Sequence, residues 1–197
     1  MIFFDVETTK LVGGEIAWIA AVSTTPAPDF QVLDKWSQKV LFGEIFADAD
    51  ALDTFGYDAR VWKNEAVPLQ EALDAFNVFT RADDETYERI SARTAAKYSI
   101  VRTAAYNAHF DVDAVMRGYD RLGVFWNGDP SALCVRQLAE WYFYLRPEEE
   151  RPRDLKLQTV AEFLEVAPSK PNYHNPLVDA RATVRIARTL LRRLDFV

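Results

Sequence analysis

Two acids stand two residues apart near the start of the chain: Asp5 and Glu7 follow the apolar run Met1-Ile2-Phe3-Phe4. On a strand, residues i and i+2 point to one face. Their carboxylates then lie side by side, where burial and mutual repulsion both disfavour the charged forms. A positive charge between them removes the conflict, and a hard divalent cation such as Mg²⁺ prefers oxygen ligands. Asp-x-Glu alone is common, and a strand ending in a solvated acidic turn reads the same way. Three later residues have types that could join such a metal site. Asp111 lies in Tyr106-Asn107-Ala108-His109-Phe110-Asp111, where a predicted strand hands over to a helix, a usual place for site residues in α/β sheets. Capping the helix is the competing role for Asp111. Asp179 falls inside the last predicted helix, at the border of an apolar stripe formed by Leu177, Ala180, Val184, Ala187, Leu191 and Leu194. An acid there needs a partner. His174 sits just upstream, on the loop feeding that helix.

The positioning elements follow from periodicity and punctuation. Glu15–Thr25 reads as a second strand after the Gly13-Gly14 turn and is ended by Pro26 and Pro28; Phe30–Phe42 reads as a third. Three strands joined by tight turns imply an antiparallel meander. Residues 44–67 read either as short helices or as a loop over a groove. Helices are predicted over Pro68–Thr80, Asp84–Tyr98 (capped by Asp83 or Asp84), Phe110–Leu122 with Gly123 as the stop, Ser131–Tyr144, Leu155–Val166 and Asn175–Asp195. Ile100–Tyr106 and Val124–Trp126 read as strands, Asn127–Pro130 as a turn, and Arg146–Asp154 and Ala167–Tyr173 as loops. Strands first, then alternation, then helices predicts an α/β fold with a mixed sheet. The 197 residues suit one domain, residues 1–197.

Composition narrows the function classes. Hydrophobic residues are 49% and charged residues 27%, enough for an ordinary core. No apolar run approaches the roughly 18 residues of a membrane span, and the start does not read as a signal peptide. One cysteine, Cys134, forms no internal disulfide and reads as a small core residue of a helix, so a reducing, cytoplasmic setting is expected. The net charge of −7 argues against broad nonspecific duplex binding, which draws on many Lys and Arg contacts. Binding of a strand end through metal ions and a few basic side chains remains compatible with it.

Taken together, the segments resemble the three motifs of the DEDDh 3′–5′ exonucleases, the DnaQ-like group with a ribonuclease H-like fold. Phe3-Phe4-Asp5-Val6-Glu7-Thr8-Thr9 looks like the first motif, Asn107-Ala108-His109-Phe110-Asp111 like the second, and His174 to Ala180, with its His-x4-Asp-Ala spacing, like the third. The resemblance spans nearly the whole chain. Lys10 departs from it, standing where many members have Gly, which bears on the local turn and not on the ligands. More weakly, Trp62 to Leu69 and Cys134-Val135-Arg136 resemble a phage and bacterial subgroup that holds both DNA and RNA exonucleases.

The resemblance implies a five-stranded mixed sheet, an antiparallel meander plus parallel strands, flanked by helices. It implies two Mg²⁺ or Mn²⁺ ions held by Asp5, Glu7, Asp111 and Asp179, with Asp5 between them, and His174 as general base. Two ions about 3.5–4 Å apart clamp the attacking and leaving oxygens of a phosphodiester. Thr8, Thr9 and Asn107 are expected at the substrate, with Phe110 either wedging the terminal base or packing the core. His109 reads as structural, and Asp113 as facing away. The expected partners are 3′ ends of single-stranded DNA, set slightly ahead of RNA. An exonuclease-fold accessory or proofreading subunit beside a polymerase or repair factor is the alternative, a metallohydrolase of non-nucleic phosphoesters a further one. Residues 44–67 and Trp141 to Tyr144 read as an interface, a homodimer's included, or as an inner wall. Arg181, Arg185, Arg188 and Arg192 read as a solvated helix flank ahead of a docking surface.

Overall fold

The computed structural model describes residues 1–83, 86–92, 94–168 and 172–194. Strands β1 (Ile2–Thr8), β2 (Ile16–Thr24) and β3 (Val32–Lys39) form the expected antiparallel meander. A 3₁₀ turn (Glu44–Phe46) and helices α1 (Ala49–Thr54) and α2 (Ala59–Glu65) fill the segment read as short helices or loop. Helix α3 (Leu69–Arg81) leads to a hairpin of β4 (Thr86–Ile90) and β5 (Lys97–Val101). Then come β6 (Thr103–Ala105), α4 (Ala108–Leu122), β7 (Leu133–Cys134), α5 (Val135–Tyr144), a 3₁₀ turn at Glu148–Glu150, α6 (Leu157–Phe163) and α7 (Pro176–Arg193). The sheet order is β3-β2-β1-β6-β7, with β6 parallel to β1 and β7 parallel to β6. This is the mixed five-stranded sheet with flanking helices that the motifs imply.

The alternation of β1 divides the core. Met1 and Phe3 join the apolar side chains of α5, α6 and α7 on one face, among them Val135, Val160, Ile186 and Leu190. Ile2, Phe4 and Val6 join those of α3 and α4 on the other, among them Leu73, Phe76, Val115 and Tyr119. Asp5 and Glu7 share the parity of Met1 and Phe3, so β1 aims them at the α7 side. The strand is central and buried on both faces, which holds its direction firmly.

Three expectations are corrected. Within the helix predicted over Asp84–Tyr98, the described residues instead form the β4–β5 hairpin (Asp84, Glu85 and Arg93 lie outside the described residues). Burial alternates along β4, with Tyr87 and Arg89 turned inward and Thr86, Glu88 and Ile90 outward. The Tyr87 hydroxyl donates to Asp129, and Arg102 lies 4.7 Å over the Tyr87 ring. Tertiary pairing and an aromatic anchor override a weakly helical composition. The strand predicted at Val124–Trp126 is irregular chain, because Trp126 turns into the core against Tyr119, Phe76 and Phe4. The fifth strand is Leu133–Cys134, from within the segment read as a helix from Ser131. Cys134 therefore sits on a strand, half-buried, with Sγ donating to the Tyr106 carbonyl at 3.3 Å.

The arginines of α7 are likewise not a free flank. Arg188 donates to the Phe30 carbonyl, Arg192 pairs with Asp29 at 2.8 Å, and Arg185 reaches the Val166 carbonyl at 3.3 Å. They tie the helix to the β2–β3 loop and to the end of α6. Arg181 is exposed.

Candidate active site

Each acid is delivered by a different local device. Asp5 and Glu7 ride on β1 beside β2, opposite Ala20 and Trp18. Strand β6 pairs β1 only at Ile2 and Phe3. Beyond that point the β1 amides lose their parallel neighbour, and Asp111, in the first turn of α4, supplies the missing acceptor: its Oδ1 takes the Val6 N–H at 3.0 Å. Asp111 is 3% exposed. It is therefore not the cap of α4, a position held by Asn107. Its bond instead stitches the helix start to the strand that carries the other acids.

Asp179 is delivered by the start of α7. Asn175 caps that helix, its side chain accepting the Leu177 and Val178 N–H groups, and Pro176 follows in the first turn. Asp179 is 5% exposed. Its Oδ2 accepts the His174 N–H at 2.9 Å, and its Oδ1 is buried without a hydrogen-bond partner. His174 has φ +66, a left-handed conformation that His tolerates better than β-branched residues. Its ring is half exposed, with Nδ1 3.8 Å from Glu7 Oε1. The ring thus stands beside Glu7 and Asp179.

Ligand atoms of Glu7, His174 and Asp179 lie within 4.8 Å of one another. Asp5 completes the cluster, feeling the charges of Asp111, Asp179 and Glu7. Burial, reinforced by those three charges, pushes Asp5 well above the usual carboxylate range. Burial raises Asp111 to about 8, against the opposing Val6 N–H, with Glu7 and Asp179 adding to the rise. Burial raises Asp179 to about 6, the His174 N–H opposing and Glu7 reinforcing. Glu7 is raised by burial and partly relieved by His174, and the neighbouring Glu7 carboxylate in turn raises His174 above 6.5.

Four carboxylates thus converge with one half-exposed imidazole as their only close cation among the described residues. The orphaned Asp179 Oδ1 and the all-oxygen donor set fit hard divalent ions, whose charge would reverse every one of these upward shifts. Asp5, Glu7, Asp111 and Asp179 would hold them.

The expected substrate residues divide. Thr8 and Phe110 line a cavity of about 730 Å³ that opens at Glu7. Asn107 lines another of about 650 Å³ with His174 and Asp179. Thr9 is buried, and its hydroxyl and N–H are both committed to the backbone of Glu15. It shapes the turn in which the Thr8 hydroxyl donates to the Lys10 carbonyl at 2.6 Å. His109 is exposed; Asp113 faces away, as expected, and pairs with Arg117. Arg136, Lys156 and Tyr173 also reach the second cavity. Spacing offers no signal for these three, because they come from α5, the α6 start and the loop before α7.

The fold and the acidic cluster together make a mixed five-stranded α/β domain with four carboxylates gathered at one point. No protein-family model and no curated protein matches the sequence. Solved structures do. A crystal structure of E. coli exonuclease I with an oligonucleotide is similar at TM-score 0.74 and 14% identity over 99% of this chain and 41% of that chain. The zinc-bound exonuclease I–ssDNA complex is similar at TM-score 0.72 and 16% identity, over 99% and 41% of the two chains. The nuclease domain of 3′hExo, a DEDDh family member bound to rAMP, is similar at TM-score 0.68 and 14% identity over 98% of this chain and 92% of that chain. This chain therefore spans about two fifths of exonuclease I but nearly all of the 3′hExo nuclease domain. At such identities the likeness is one of fold. Among the described residues, no helix is long and apolar enough to cross a membrane.

Proposed function

We propose that this protein is a metal-dependent 3′–5′ exonuclease that removes nucleoside 5′-monophosphates from the 3′ end of single-stranded nucleic acid. The observation that carries the reading is the convergence of Asp5, Glu7, Asp111 and Asp179, from β1, α4 and α7, on one buried point with His174 beside it. Two Mg²⁺ or Mn²⁺ ions bound there would neutralise the phosphodiester and stabilise charge on its attacking and leaving oxygens. The protein's own work is positional. Asp111 locks α4 to β1 through Val6, and Asp179 holds the His174 backbone, so both ligands and base are fixed by main-chain bonds. His174, half exposed and free to meet solvent, takes the proton from the attacking water once its Glu7 contact is released. Thr8 and Phe110 line the space beside Glu7 suited to the terminal nucleoside. DNA stands slightly ahead of RNA, supported by the DNA-bound exonuclease I neighbours; the rAMP-bound neighbour keeps RNA in play.

End-labelled single-stranded DNA and RNA, incubated with Mg²⁺ or Mn²⁺ and with EDTA, test this. A ladder shortening one nucleotide at a time, abolished by EDTA, is the expected result; no degradation of either polymer would overturn it. A role as a subunit beside a protein partner is the second reading, favoured by the exposed Trp141, Tyr144 and Leu145 on one end of α5.

A further inference from the structure

Two trenches lead away from the carboxylates, and their walls differ in charge. The first, beside Glu7, is lined by Thr8, Leu11, Asp48, Asp50 and Phe110, with Lys10 as the cation among its lining residues. The second leaves from Asp179 and His174 past Asn107 to Arg136 and Lys156. Asp154 is the acid on that second wall, and its carboxylate is already engaged, accepting the Lys156 N–H at 3.0 Å. Arg136 and Lys156 are exposed, and among the described residues neither side chain makes a direct ion pair; Asp154 pairs with Arg153 at 3.9 Å and feels the Lys156 charge at longer range. Three other exposed or half-exposed arginines of this acidic chain are committed: Arg117 to Asp113, Arg121 to Glu15, Arg192 to Asp29.

We propose that Arg136 and Lys156 bind the phosphate on the 5′ side of the scissile one, so that the strand enters along the second trench and ends in the first. The assignment rests on the exonuclease reading. A 3′ terminus ends in a hydroxyl, so the half of the site that holds it meets no phosphate beyond the scissile one. The other half meets a further negative charge with each nucleotide. An apolar and acidic wall suits the first half, and unpaired cations suit the second. Arg136 offers the planar fork that matches phosphate oxygens, and Lys156 a compact second charge. Both are positioning residues that set the register of the strand on the carboxylates.

The test uses three substrates: a thymidine dinucleotide with a 5′-phosphate, the same without it, and the p-nitrophenyl ester of thymidine 5′-monophosphate. Only the first carries the phosphate in question. Wild type should prefer it over the unphosphorylated dinucleotide by about tenfold in kcat/KM, the size of one charge-assisted contact at a solvent-accessible site. Arg136→Gln should erase most of that preference, Lys156→Gln a smaller part, while their rates on the two substrates lacking the phosphate fall far less. On a longer oligonucleotide, each variant should lower the slope of log(kcat/KM) against log salt by about 0.7. Fluorescence anisotropy of labelled oligothymidylate in EDTA provides a second readout, with weaker binding expected for both variants. Lys35→Gln, which removes an exposed cation of β3 outside both trenches, is the control. Equal losses on all three substrates, or undiminished preference for the 5′-phosphate with unchanged binding, would overturn the assignment. If wild type hydrolyses none of the substrates, the exonuclease reading itself falls. The binding arm then still decides whether the two cations hold a strand.

Discussion

Replacing Asp179 by asparagine should stabilise the metal-free protein while destroying its activity. Burial, helped by Glu7, raises the Asp179 carboxyl from an ordinary 3.8 to about 6 in the folded state. The unfolded chain gives up that proton near pH 4, the folded chain only near pH 6. Above pH 6 the folded state therefore carries a charge it disfavours, and stability is lower there than below pH 4. Two pKa units correspond to about 3 kcal/mol. Asparagine carries no such charge and keeps an oxygen for the His174 N–H, but its amide nitrogen enters a position where Asp179 Oδ1 has no partner. That unsatisfied donor takes back about 1–2 kcal/mol. The net gain is about 1–2 kcal/mol at pH 8 in EDTA, or about 2–8 °C in melting temperature for a chain of this size. Scanning calorimetry or near-UV circular dichroism from pH 4 to 8 measures it. The difference should be greatest at pH 8 and shrink toward pH 4. Added Mg²⁺ or Mn²⁺ should then raise the wild-type melting temperature more than that of Asp179→Asn, by mass action on the intact site. A variant less stable than wild type at pH 8 in EDTA, or a difference indifferent to pH, would refute the electrostatic reasoning. An equal metal response in both proteins would remove Asp179 from the ligand set.

Other substitutions probe separate parts of the site. Asp5→Ala should abolish exonuclease turnover with the fold intact by circular dichroism, since Asp5 sits among the other three charges. His174→Ala should lose most of the rate, at least tenfold, yet keep the metal-induced rise in melting temperature; full activity across pH 6–9 would exclude His174 as base. In EDTA the His174 ring should titrate above 6.5 by NMR, because the neighbouring Glu7 carboxylate raises it, and bound Mg²⁺ should lower that value. Gly14→Ala should destabilise the protein by about 1–3 kcal/mol in urea melts. An added Cβ would stand 2.4 Å from the Lys10 nitrogen and 2.6 Å from its carbonyl oxygen, forcing apart the turn that holds Thr8 and Thr9. Phe76→Ala should cost about 3–5 kcal/mol, because its fully buried ring joins Phe4, Trp36 and Trp126.

Residue identity and spacing already determined a good deal about this protein. The period of two in Met1–Thr8 set Asp5 and Glu7 on one face, the apolar stripe of the last helix left Asp179 at its buried edge, and Gly123 ended α4 in the left-handed conformation only glycine adopts readily. Those are local rules, so local sequence carries them. The β4–β5 hairpin was not legible, because its strands are defined by each other and by the Tyr87–Asp129 bond across 42 positions. The two-residue β7 was equally hidden, since a strand that short exists only through its neighbour β6. The role of Asp111 at Val6 depended on where β6 stops, and the fate of the α7 arginines on where the β2–β3 loop falls. Only tertiary structure decided which cations remain unpaired beside the carboxylates, and hence which wall of the site can meet a second phosphate. The physical reason is that charge pairing and desolvation depend on distance in space, while sequence records only distance along the chain.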